Sequence, residues 1–175
     1  MARKSLLIHV FAHDEPGLVS AISGRLFDLG LNLGDSSFAV LGTGAEFTAV
    51  VEEPVPVGIE EIEQQLRALP ELEDGEVRVE QVGIEPEHGP SAEVTHRIVI
   101  QGADQPGLIA RLSEVFGDYG ANIVRLTAER QPFGERAGYL IQVSAWIPEA
   151  RADACISAVT NTASQLQLFS QWHRT

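Results

Sequence analysis

Apolar and polar residues follow two different periods along this chain, and the switches between them mark out its elements. Residues 5–13 (Ser-Leu-Leu-Ile-His-Val-Phe-Ala-His) set β-branched and apolar side chains between polar flanks, which predicts a strand. After Pro16-Gly17 the period lengthens: Leu18, Val19, Ile22, Leu26 and Leu29 recur at three- and four-residue spacing, as on a helix burying one face. Proline suits a first helical turn, where its missing amide would have no partner anyway. Gly30 supplies a left-handed stop. An extended stretch then runs to Leu41, a Gly42-Thr43-Gly44 turn follows, and Ala45–Val51 predicts another strand. Pro54-Val55-Pro56 breaks the chain. Ile59, Ile62, Leu66 and Leu69 mark a second amphipathic helix stopped by Pro70, and Glu76–Val82 alternates charged and apolar residues as a half-buried strand does. The order is β-α-β-β-α-β, that of the ferredoxin-like split βαβ unit.

The second half reads the same way. Strands are expected at Val94–Gly102, Ala121–Arg130, Tyr139–Trp146 and Leu166–Trp172, with helices at Gly107–Tyr119 and Pro148–Ser164. Its hairpin connection, Gln131 to Gly138, reads as longer than the first. Gly83-Ile84-Glu85-Pro86-Glu87-His88-Gly89-Pro90 has linker composition, which sets two domains at residues 1–87 and 88–175. The expected fold class is α+β: two tandem ferredoxin-like βαββαβ units, each an antiparallel sheet with helices on one face.

The halves also share residues. Asp14-Glu15-Pro16-Gly17-Leu18 returns as Asp104-Gln105-Pro106-Gly107-Leu108, and a gapless alignment of 14–32 with 104–122 gives eight identities in nineteen positions, including Asn32 and Asn122. Self-similarity at a fixed spacing means that one structural unit is used twice.

Composition narrows the function. The net charge is −13, of which residues 1–85 carry −11 and residues 86–175 carry −2. Nucleic-acid affinity draws on Lys and Arg releasing counterions, so a chain of this charge is repelled from phosphate backbones. Control of genes, if it occurs, would run through a protein partner. No apolar run approaches the roughly 20 residues that cross a bilayer, and no signal peptide is read at the N-terminus. One cysteine, Cys155, excludes an internal disulfide framework and fits a reducing cytoplasm. No metal or cofactor motif is read.

A strand ending in Asp-x-Pro-Gly-Leu, a helix, Gly-x-Asn and a hairpin resemble the ACT domain, a ferredoxin-like module that often senses amino acids. Two in tandem resemble, within that family, the glycine cleavage system transcriptional repressors. The resemblance implies a ligand site between the strand-helix turn of one unit and the second strand of its paired unit. Here those positions are Asp14, Glu15, Pro16 and Gly17 with Asn32, and Asp104, Gln105, Pro106 and Gly107 with Asn122. The chemistry fits an amino acid. A helix N-terminus offers free amides to an α-carboxylate, glycine lets backbone approach closely, Asp can meet the α-ammonium, and Asn both donates and accepts. Some amino-acid-binding family members carry an Asn where this chain has Asp14 and Asp104, with a nearby His; the matching places here are Ala12 and Gly102. The resemblance implies glycine or a similar amino acid as ligand and a protein partner such as a transcriptional activator. An open sheet face and sheet edges that need cover suggest a homodimer. No nucleotide loop, Ser-His-Asp order or metal-ligand spacing is read, so no enzyme activity is expected. An alternative is the regulatory subunit of a biosynthetic enzyme such as acetolactate synthase, which resembles one ACT unit followed by a different domain. A small ferredoxin-like hydrolase would need an Arg in a glycine-rich first loop, and both first loops here carry acids instead.

The same turn also has a purely structural reading, as an ordinary helix start capped by Asp and relieved by Gly, with the two asparagines tying loops. His9 and His13 share a strand face and suggest a surface or subunit contact more than a metal site. Cys155 reads as a small core residue, and Glu60, Glu61 and Glu63 as a solvated helix face. Arg125, Arg130 and Arg136 gather around the second hairpin, where they could receive an acidic partner or simply face solvent. Trp146 and Trp172 suit core or interface packing, and Phe38, Ala39 and Val40 suit strand pairing.

Overall fold

Leu6, Ile8, Val10 and Ala12 leave solvent on the same side of β1 (Ser5–His13), so the sequence period of this strand is its burial period. The computed structural model describes residues 5–52, 57–84, 88–133 and 136–175. The proline break at 54–56, the middle of the linker at 85–87 and the Arg136 side chain lie outside what it describes.

The chain divides into two units, residues 1–86 and 87–175. In the first, β1 is followed by α1 (Leu18–Asp28), β2 (Asn32–Leu41), β3 (Gly44–Glu52), α2 (Ile59–Arg67) and β4 (Glu76–Val82). The sheet order is β2-β3-β1-β4 with every neighbouring pair antiparallel. Leu18, Ile22 and Leu26 of α1 and Ile62 and Leu66 of α2 form one core with Ile8, Val10, Phe47 and Val79 of the sheet. Each such buried side chain contributes about 1.5–3 kcal/mol.

The second unit repeats the order with β5 (His96–Ala103), α3 (Leu108–Asp118), β6 (Asn122–Phe133), β7 (Arg136–Trp146), α4 (Ala152–Gln165) and β8 (Phe169–Arg174), in the sheet order β6-β7-β5-β8. Ile98, Ile100, Leu112, Phe116, Ile141 and Val159 centre its core. Both units are therefore α+β and ferredoxin-like, with two helices on one face of an antiparallel sheet. Cys155 is fully buried, and burial pushes its thiol pKa up, which makes it a poor nucleophile. No described helix is long and apolar enough to cross a membrane.

Three local expectations change. The stretch 131–138 is largely strand rather than loop, because Pro132 pairs with Ala137 and Phe133 with Arg136. The last strand begins at Phe169, not Leu166: Gln167 takes the left-handed conformation (φ 58°) and the Leu168 amide donates to the Ala163 carbonyl, a helix-ending turn that delays the strand. Glu63 is half-buried and accepts from the Val79 amide at 3.1 Å, so it is not part of a solvated face.

Candidate functional site

Gly17 and Gly107 are the residues on which the repeated motif turns. Both precede a helix in the left-handed conformation, with φ of 98° and 81°. A Cβ at either would meet no atom within 4 Å, so glycine is required by the backbone angle and not by crowding. Neither helix start receives a side-chain cap, so Asp14 and Asp104 do not act as capping residues. Among the described residues, the amides of Val19 and Ser20, and of Ile109 and Ala110, donate to no protein acceptor. Each turn thus offers free amides and the positive end of a helix dipole, and carries an exposed Asp.

The loops are anchored alike. The Asp14 amide donates to the Thr43 carbonyl at 3.1 Å, and the Asp104 amide to the Ala137 carbonyl at 3.1 Å. The first turn is thereby pinned to the Gly42-Thr43 hairpin turn, and the second to the start of β7. His13 Nδ1 also reaches the Thr43 carbonyl at 2.6 Å, while His9 pairs with Glu46 at 3.3 Å, so the two histidines have separate partners. Sequence reasoning missed Thr43 and Ala137, because cross-loop backbone bonds leave no mark on residue type.

The asparagines lie elsewhere. Asn32 opens β2 and pairs in register with Glu52, whereas the hairpin tip that holds Asp14 is at the other end of that ladder, where Leu41 pairs with Gly44. The 11 residues of α1 separate Asn32 from Gly17 by about 16 Å along the helix axis. No single unit brings its own turn and its own asparagine together. Asn122 also has a local partner, its Nδ2 donating to the Ser91 carbonyl at 2.8 Å. Gln105 is likewise engaged, donating to the Leu166 carbonyl at 2.8 Å, which ties the second turn to the end of α4. Glu15 and Pro16, and Pro106, stay exposed in their turns.

Electrostatics separate the two turns. Arg130 stands 3.5 Å from the Asp104 carboxylate. Ninety residues earlier the equivalent position is Val40, so Asp14 has no such neighbour from its hairpin. Ala12 and Gly102 have a packing reason to be small. A Cβ at Gly102 would lie 2.6 Å from Leu168 Cδ2 and 3.3 Å from its Cα, and the Ala12 methyl sits 3.3 Å from where a Cβ on Gly75 would be. The segments leading into β8 and β4 thus occupy the space that a larger residue at 102 or 12 would use.

The model of the ACT domain matches residues 4–80. A solved structure of an unknown protein from Galdieria sulphuraria is 20% identical over 98% of both chains, with a TM-score of 0.74. A protein provisionally assigned as a glycine cleavage system transcriptional repressor is 16% identical over 100% of this chain and 99% of its own, with a TM-score of 0.70. At these identities the likeness is one of fold, and it extends through both units. No curated protein matches the chain in sequence.

Proposed function

We propose, for a chain whose residues 4–80 match the ACT-domain model and whose second unit repeats that fold, an amino-acid-responsive regulator that acts by contact with another protein. One observation carries this reading: after a left-handed glycine the Val19 and Ser20 amides have no protein acceptor among the described residues, in the turn that also carries Asp14. Free amides suit an α-carboxylate and Asp14 suits an α-ammonium. An amino-acid backbone carries one charge of each sign for these two kinds of group to meet.

Asn32 and Asn122 each lie far from the turn of their own unit, so neither completes its own cradle. Asp14, Glu15, Pro16 and Gly17 form the stronger turn. Asp104, Gln105, Pro106 and Gly107 form the weaker one, because Arg130 and Leu166 already engage two of its side chains. Glycine or a similarly small amino acid is the ligand. A ligand of about five non-hydrogen atoms is capped near low-micromolar affinity, which suits the sensing of metabolite pools.

The regulated partner is a protein, such as a transcriptional activator, and the chain acts in the cytoplasm as a homodimer without touching nucleic acid, given its net charge of −13. It is not an enzyme. Two units of the same topology also count against a regulatory subunit made of one ACT unit and an unrelated domain. Affinity capture of the full chain from a lysate, with and without millimolar glycine, tests the reading. A partner whose recovery changes with glycine is expected; the same protein set in both samples would contradict it.

A further inference from the structure

The two units treat the same sheet edge in opposite ways. In the first, α2 closes the outer edge of β4: Arg67 donates to the Val77 carbonyl at 2.7 Å, and Glu63 accepts from the Val79 amide at 3.1 Å. The two side chains are also paired with each other at 3.2 Å. Backbone groups that would otherwise recruit another strand are thereby satisfied.

β8 holds the same place in the second unit. Val77 and Val79 stand opposite Val10 and Ile8; Ser170 and Trp172 stand opposite Ile100 and Ile98. Matched registers turn matched backbone groups outward, so the Ser170 and Trp172 amides and carbonyls face the free edge. No α4 side chain bonds them among the described residues. Where α2 carries a long Glu and Arg, the side of α4 toward this edge carries Asp153, Ser157, Thr160 and Asn161. These residues, with Ile156 and Trp172, line an open groove of about 390 Å³. Trp172 is 49% exposed there, a large apolar surface beside an unpaired strand.

We propose that the free edge of β8 takes an extended segment of a partner protein as a fifth strand, with a lysine or arginine of that segment lying against Asp153. A strand edge beside a helix gives main-chain hydrogen bonds for affinity and a groove for every second side chain, the geometry of strand addition. Asp153 is the one charged residue lining the groove, which sets the sign of the complement. A second copy of this chain pairing through its own β8 fits less well, because that strand offers as cation Arg174, already bonded to Glu149. The inference deepens the partner half of the proposed function and stands whether or not an amino acid binds.

The test is selection of a displayed random peptide library on the full chain. Selected peptides should alternate β-branched or aromatic residues with polar ones and carry a Lys or Arg. Ser170→Pro removes an amide that faces away from β5, and Ser157→Arg fills the groove; each should weaken binding by about tenfold or more. Asp153→Asn should weaken it by about threefold. Peptides N-methylated at alternate backbone nitrogens should lose binding in one parity only, a readout that needs no variant to fold. Hydrogen exchange at the Ser170 and Trp172 amides should slow on peptide addition. Recovery of no peptide, or binding indifferent to Ser170→Pro and to methylation parity, would overturn the proposal. Self-association lost with Trp172→Ala would put a second copy in the groove and overturn it equally. Glycine titration reads the ligand half separately.

Discussion

Arg130 holds its Nε 3.5 Å from the Asp104 carboxylate, while the matching place beside Asp14 is occupied by Val40. A ligand ammonium that seeks Asp104 must compete with a guanidinium, whereas one that seeks Asp14 meets no such rival. The two turns are therefore unequal despite their shared motif. Asp14→Asn should lower amino-acid affinity by about tenfold or more, the loss of one charge-assisted hydrogen bond. Asp104→Asn should leave the tighter binding step unchanged. Calorimetric titration of both variants checks this, and equal losses would refute the ranking of the sites.

Gly17→Ala and Gly107→Ala should each destabilise the chain by about 1–2 kcal/mol, because an L-residue pays for the left-handed conformation. Neither methyl would meet an atom within 4 Å, so the cost is conformational and not steric. Urea unfolding of each variant measures it. A variant as stable as the parent would show that the turn relaxes to another conformation.

Gln167 is the one described non-glycine residue with positive φ, at 58°. It occupies the helix-ending position that Gly30 and Gly120 fill after α1 and α3. Gln167→Gly should stabilise the second unit by about 0.5–1 kcal/mol, the relief of strain less the added freedom of the unfolded chain. A shift in the urea midpoint reports it.

His96 is buried beneath Trp172, and desolvation, with Arg174 nearby, lowers its pKa below 6.5. The unfolded chain then binds this proton more readily than the folded one. The stabilisation is complete above the unfolded value and is lost as pH falls through the folded value. Unfolding midpoints should therefore fall on acidification below about pH 6.5, and the fall should be smaller in His96→Gln. An unchanged slope in the variant would assign the effect to other groups.

Most of the fold was legible because its signals are local. The strand period of β1, the three- and four-residue spacing of α1, and the glycines after α1 and α3 depend on residue type within a few positions. The chain repeat then gave the second unit from the first. What escaped was set by tertiary geometry. Gln167 takes a left-handed turn without the glycine that would announce it, so residue type alone starts β8 three residues early. Glu63 looked solvated by charge, and only the nearness of β4 gives its carboxylate a buried partner. The candidate site was half legible: the motif marks Gly17 and Gly107, whose angle only glycine holds at little cost. Its separation from Asn32 depends on the register of β2 with β3, and Asn122 finds Ser91 across thirty-one positions of sequence.

The claim on which the rest depends is that the α1 turn receives a small amino acid. Isothermal titration of the full chain with glycine and serine, repeated on Asp14→Asn, measures it most directly. Saturable heat with a dissociation constant between low micromolar and millimolar, lost in the variant, is the predicted result. No heat from any amino acid at millimolar concentration, or heat that survives Asp14→Asn unchanged, would contradict it.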